Sequence, residues 1–226
     1  MRLYFTKANT ADVSESVLFR ALNHDRCIRI VCRPWADRIA SAAASHLVRY
    51  ALSDAGYAAY ADAPIVWEGK PHFADPAHSV FFNLSHTVDR VNGTFAAAVL
   101  LSREGEVGVD IELPRPLHNR EAMVKKIISG VEREYLSEHG EDAFFDLWCA
   151  KEAYMKWTGE GFSRPMSRIS VDLAHGFAES DGRRCALHTE QIAGCHLVCA
   201  AEHIGRVETR AVSVEQLINF CKGEPQ

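Results

Sequence analysis

Residues 107–112 read Val-Gly-Val-Asp-Ile-Glu, and the chain organises around this hexapeptide. Alternating β-branched residues mark a strand, and successive strand side chains face opposite ways. Val107, Val109 and Ile111 therefore share one face and can enter a core. Gly108, Asp110 and Glu112 share the other, with the two acidic Cα atoms roughly 6.5 Å apart. Two hard oxygen donors at that spacing can share one Mg²⁺ and leave positions for water and phosphate oxygens. Gly108 on the same face leaves room for a ligand. Taken alone, the same residues read more simply as an amphipathic strand with a solvated acidic face.

Upstream, Phe95–Leu101 is a second strand, and with a strand over Glu106–Ile111 it is expected to form a hairpin through the polar Ser-Arg-Glu-Gly-Glu turn (102–106). Val80–Leu84, Ile65–Trp67 and residues 2–6 are further strands. Ala36–Leu52 is rich in Ala and Leu, with Ile39, Ala43, Leu47 and Tyr50 at helical spacing. Downstream, Pro114 and Pro116 stop the strand near mid-chain and mark a linker.

The second half opens with helices at Ala122–Ile128 and after Ser129, where Glu132 completes a capping box. A longer helix follows from Asp142 to Thr158 and ends at Gly159. Strands are expected near 168–173, 184–188, 195–201 and 207–212, and a last helix over Val214–Cys221. Both halves thus carry helices and antiparallel strands. The reading is an α+β fold of two similar lobes, residues 1–113 and 114–226.

The 226 residues are 47% hydrophobic and 24% charged, which is ordinary for a folded globular chain rather than a disordered one. A net charge of −5 argues against charge-driven nucleic-acid binding but leaves space for a local basic pocket. No apolar run has the length of a membrane span, and the opening MRLYFTKANT lacks a signal-peptide core. A cytoplasmic protein without membrane partners is the default. The seven cysteines are odd in number and none form C-x-x-C, so reduced thiols are expected rather than a zinc site.

Three further segments carry chemistry. In Phe-Asp-Leu-Trp-Cys-Ala-Lys-Glu-Ala-Tyr-Met-Lys (145–156), Trp148, Glu152 and Lys156 lie on one helix face. Lys151 stands about a hundred degrees round the helix. A surface Glu152–Lys156 pair is the simple reading. The functional one makes Glu152 a third oxygen ligand and Lys156 a cation for phosphate. In Phe-Phe-Asn-Leu-Ser-His-Thr (81–87), a strand end would expose Ser85 and His86 to a phosphate, with Asn83 bracing the turn. Arg26, Arg29, Arg33 and Arg38 within thirteen residues suit an anion or a solvated face.

In order, Gly69-Lys70-Pro71, FNLSHT, VGVDIE and WCAKEAYMKWTGEGF resemble the 4′-phosphopantetheinyl transferases. The likeness is to the longer, single-chain surfactin-type class, not the short trimeric holo-acyl-carrier-protein synthases. It covers most of residues 36–162; Thr87 departs from it where Ser is common. The resemblance implies an intramolecular pseudo-dimer with its active site between the lobes. It implies that coenzyme A is the substrate, with Mg²⁺ (or Mn²⁺) on the pyrophosphate, and that Asp110, Glu112 and Glu152 are the metal ligands. It places Ser85, His86 and Lys156 at the phosphates, Lys70 on coenzyme A, and Ser41 with Arg26 near the 3′-phosphate. Glu152 and Lys156 are the implied catalytic pair. The implied partner is an apo acyl or peptidyl carrier protein, served by a monomer with no nucleic acid. Ile127, Ile128 and Tyr135 are candidates for the carrier's docking surface, although core packing also explains them.

Overall fold

A computed structural model describes residues 1–117, 119–161 and 165–223. The first half runs β1 (Arg2–Asn9), α1 (Glu15–Arg20), α2 (His24–Val31), α3 (Trp35–Asp54), α4 (Ala58–Ala61), β2 (Ile65–Val66), β3 (His72–Phe73), β4 (Phe81–Asp89), β5 (Thr94–Ser102) and β6 (Val107–Glu112). The second runs α5 (Arg120–Ile127), α6 (Gly130–His139), α7 (Ala143–Thr158), β7 (Ser170–Asp172), β8 (Phe177–Ser180), β9 (Arg183–Ile192), β10 (Cys195–Ala201), β11 (Glu208–Ala211) and α8 (Val214–Lys222). The fold is α+β. One sheet has the order β11-β1-β5-β4 and a second β6-β10-β9-β8-β7, and all their pairs but β1–β11 are antiparallel.

The expected β5–β6 hairpin does not form. β6 leaves the first sheet and pairs with β10, placing Asp110 opposite Val198 and Glu112 opposite His196. The reason lies in its apolar face. Val107, Val109 and Ile111 are fully buried and pack with Leu3 and Phe5 of β1, Ala96, Ala98 and Leu100 of β5, and Leu197 and Cys199 of β10. β6 thus stacks across β5 rather than beside it, since burying each such side chain is worth about 1.5–3 kcal/mol. Period-two alternation identifies a strand and its buried face, but not the neighbour it bonds to.

Helices cover the outer faces. α3 lies on the first sheet, where Leu47, Val48 and Ala51 meet Tyr4, Val99 and Leu101. α7 lies on the second, where Ala150, Ala153 and Tyr154 meet Val198 and Ala200. The chain crosses between the sheets twice. β6 precedes the Pro114/Pro116 segment yet joins the second sheet, while β11 and Leu217 of α8 return to the first. Ile127 and Ile128 are buried in the core beneath α7, and Tyr135 packs against it, so packing is their role here. Ser129 and Glu132 form the expected capping box. All seven cysteines are free thiols, four of them buried. Among the described residues, no helix is long and apolar enough to cross a membrane.

Candidate active site

β4 does not end at Leu84 but runs on through Ser85 and Thr87 to Asp89. It is the edge of the first sheet, and β6 is the edge of the second. The two edges meet through side chains rather than a backbone ladder. Asn83 Oδ1 accepts the Val109 N–H at 3.0 Å, so it joins the sheets instead of bracing a turn. Two residues on, the Ser85 hydroxyl donates to Asp110 Oδ1 at 2.7 Å. After two more, the Thr87 hydroxyl donates to Glu112 Oε2 at 2.7 Å. The three bonds follow the strand period of two, which puts Asn83, Ser85 and Thr87 on one face of β4. Ser85 and Asp110 are buried there, not exposed.

α7 closes over the acidic face of β6. A Cβ on Gly108 would lie 2.0 Å from the Ala153 carbonyl oxygen and 2.6 Å from the Trp157 nitrogen. Gly108 therefore makes room for the helix backbone, not for a ligand. The helix delivers Lys156, whose Nζ donates to Asp110 Oδ1 at 2.7 Å, Ser85 Oγ at 2.8 Å and the Val109 carbonyl at 3.1 Å. Lys156 is thus bound to the strand and is not the outer half of a surface pair. Glu152 is buried beside it, and its carboxyl is pushed up to about 7, first by burial and then by the charge of Asp110 and, further, Glu112. Lys156 opposes that shift.

Lys151, the residue before Glu152, turns the other way into the core. Its ammonium is fully buried, 2.8 Å from Glu132 Oε1, and donates to the Met166 and Ile169 carbonyls at 3.1 and 2.7 Å. Glu132 in turn accepts the Ser129 and Val171 N–H groups at 2.6 and 2.9 Å. The pair is satisfied on all sides and ties α6, α7 and the segment before β7 together.

The opposite face of β4 carries His86. Its Nε2 is 3.0 Å from the Ser41 hydroxyl of α3, and Arg33 Nη1 donates to the same hydroxyl at 3.0 Å. His86 is pushed down to about 3, first by burial, then by Arg33, Lys156 and Arg26. The imidazole is therefore neutral, and the field around it is cationic, as an anion requires. Arg26 is buried, donates to Ser45 Oγ at 2.9 Å and stacks on Trp67, 4.2 Å from the ring centroid. Arg33 belongs to the arginine run noted in the sequence, of which the resemblance places only Arg26 near a phosphate. Lys70 pairs with Glu106 and donates to the Trp157 carbonyl at 3.3 Å, near the end of α7. A cavity of about 330 Å³ lies beside it, lined by Glu106, Trp157, Thr158 and Arg183.

Among the described residues, no three His, Cys, Asp or Glu side chains converge as a ready-made metal site. The donor chemistry nonetheless fits a hard divalent cation. Asp110 Oδ2 is buried without a hydrogen-bond partner. Burial first, and then the charges of Asp110 and Glu112, raise the Glu152 carboxyl, and oxygen-only donor sets of this kind suit Mg²⁺. The last residue of the WCAKEAYMKWTGEGF stretch, Phe162, lies outside the described residues.

Residues 106–202, the segment that holds β6, α7 and β10, match the family model of the 4′-phosphopantetheinyl transferase superfamily. The chain is 37% identical over 132 residues to the 4′-phosphopantetheinyl transferase AcpT of Salmonella typhimurium, covering 57% of this chain and 63% of that one. It is 40% identical over 138 residues to AcpT of Escherichia coli K12, covering 57% and 62%. It is 33% identical over 119 residues to the 4′-phosphopantetheinyl transferase ffp of Bacillus subtilis, covering 51% and 46%. The chain thus spans less than two thirds of the length of these relatives.

Proposed function

We propose that this chain, whose residues 106–202 match the family model of the 4′-phosphopantetheinyl transferase superfamily, transfers the 4′-phosphopantetheine arm of coenzyme A to a serine of an apo acyl or peptidyl carrier protein. The observation that carries the reading is the joining of Asp110, Ser85 and Lys156 into one hydrogen-bonded group, with the raised Glu152 beside it. Asp110, Glu112 and Glu152 would hold Mg²⁺ or Mn²⁺, which supplies charge neutralisation at the pyrophosphate when bound.

In the proposed reaction the carrier serine oxygen bonds to the β-phosphorus as the bridging bond to the α-phosphate breaks. Adenosine 3′,5′-bisphosphate leaves. Glu152 takes the serine proton, directly or through water. Lys156 stabilises the charge on the leaving phosphate. Ser41, Arg33, Arg26 and the neutral His86 form the basic pocket for the 3′-phosphate. Lys70 adds a cation beside the cavity at the end of α7. The protein's part is positioning and electrostatics. A cytoplasmic monomer serving fatty-acid, polyketide or nonribosomal-peptide carriers completes the reading.

One incubation tests it. The chain, coenzyme A, Mg²⁺ and an apo carrier are combined and the carrier is weighed intact. Addition of the phosphopantetheine mass, abolished by chelator and restored by Mg²⁺ or Mn²⁺, is the expected result. Hydrolysis of coenzyme A with every tested carrier unmodified refutes transfer, and transfer that survives chelation refutes the metal.

A further inference from the structure

Asp110 and Glu112 are held alike. Asp110 Oδ1 accepts from the Ser85 hydroxyl and from Lys156 Nζ, both at 2.7 Å. Glu112 Oε2 accepts from the Thr87 hydroxyl at 2.7 Å and from Arg115 Nη1 at 2.6 Å. Each carboxylate thus has one hydroxyl from β4 and one cation from outside both strands, and both donors meet a single oxygen. Asp110 Oδ2 is left buried without a partner. Arg115 is itself constrained. It stands between Pro114 and Pro116, whose rings limit the backbone. The same Nη1 reaches the Leu113 carbonyl at 3.1 Å and Thr87 Oγ1 at 3.4 Å.

We infer that Thr87 and Arg115 are positioning residues for the divalent cation, pinning one oxygen of Glu112 as Ser85 and Lys156 pin one oxygen of Asp110. The inference rests on the proposed reading of Asp110, Glu112 and Glu152 as the metal site. Ligating carboxylates are oriented by outer hydrogen bonds, and loss of such a partner weakens metal binding about 10–100-fold. The Thr87 hydroxyl is neutral, so removing it changes orientation and leaves the site's charge alone. Arg115 in addition offsets the charge of Glu112.

The test uses the full chain and Mn²⁺ alone, with free Mn²⁺ read from its electron paramagnetic resonance signal. Thr87→Val keeps the side-chain shape and removes the hydroxyl. It should weaken Mn²⁺ binding about tenfold or more. The Mg²⁺ concentration for half-maximal transfer should rise equally, with turnover at saturating Mg²⁺ near that of the parent chain. Thr87→Ser should restore binding. Thr87→Ala gives the same reading should the valine chain fail to fold. Because both donors act on one oxygen, Thr87→Val and Arg115→Gln together should cost less than the product of the single effects. A folded Thr87→Val or Thr87→Ala chain that binds Mn²⁺ like the parent overturns the role of Thr87, and strictly multiplicative effects overturn that of Arg115. A parent chain that binds Mn²⁺ yet modifies no carrier strikes the transferase reading alone. A parent chain that binds no Mn²⁺ removes the metal site and this inference together.

Discussion

Gly108→Ala is the smallest change that should separate activity from folding. Gly108 is not in the left-handed backbone region, so the added methyl costs no backbone strain; the conflict is one of space. The new Cβ would sit 2.0 Å from the Ala153 oxygen, 2.6 Å from the Trp157 nitrogen and 3.0 Å from the Ala153 carbonyl carbon. These are backbone atoms of a helix and cannot rotate away. A carbon–oxygen contact normally needs about 3.3 Å, so α7 must withdraw locally by roughly 1.3 Å. Overpacking of this kind costs about 1–3 kcal/mol. The larger effect falls on Glu152 and Lys156, because α7 carries both toward Asp110. A misplacement of about 1 Å can cost a hundredfold in rate. The assay is carrier modification by intact mass, beside urea unfolding of the same sample. Leu197→Ala is the control, since Leu197 is fully buried on the other face of the second sheet. It should cost about 2–5 kcal/mol and leave the rate of the folded fraction nearly unchanged. Gly108→Ala with near-normal turnover would refute the reasoning, as would equal loss of rate in both folded variants.

Stability should fall as pH rises through the interval from 4.5 to 7 in metal-free protein. Glu152 is raised to about 7, so across that interval the folded chain holds a proton that the unfolded chain has released. The penalty approaches about 3 kcal/mol once pH exceeds 7. Glu152→Gln should abolish this fall and should abolish transfer, with urea unfolding in chelator as the check. Lys151→Met leaves Glu132 charged and buried, and should cost about 3–5 kcal/mol, of which the paired Lys151→Met, Glu132→Leu chain should recover a large share. Calorimetry that finds the pair no better than the single variant contradicts this. Arg33→Ala should raise KM for coenzyme A about 10–100-fold, the worth of one charge-assisted bond. KM for 3′-dephospho-coenzyme A should hardly move, and equal rises for both would place Arg33 elsewhere.

The sequence made the elements of this site legible because each rests on a local period. Val107–Glu112 alternates, so its two faces were correctly separated, and β10 was found at its observed bounds. α7 was bounded by Gly159, which takes the left-handed conformation at the helix end. What stayed hidden depends on contacts distant in sequence. No local pattern says that Val109 must stack over β5, so β6 looked like its hairpin partner. FNLSHT looked like a strand end because its polar residues suit solvent, yet Asn83, Ser85 and Thr87 meet polar partners on β6. Thr87 and Arg115 carried weak signals of their own: a hydroxyl two residues after Ser85, and a cation three residues after Glu112.

The alignment of α7 over β6 is fixed at two points, and this makes the register of a strand a condition of the chemistry. At one end the helix backbone touches Gly108. At the other, Asp146 Oδ1 lies 2.6 Å from His196 Nδ1, and His196 stands opposite Glu112 on β10. Between these points Glu152 is held near Asp110 without a direct bond to it. Suppose β6 slipped by one residue against β10. Every side chain would change face, and Asp110 and Glu112 would enter the apolar layer formed by Leu3, Ala98 and Leu197. Val109 and Ile111 would then meet α7. Burying two unpaired carboxylates costs several kcal/mol each, more than the wrong register could recover from Val109 and Ile111. The acidic pair therefore selects the register that places it under the helix, and the same two charges that make the site also exclude the fold in which it would be absent.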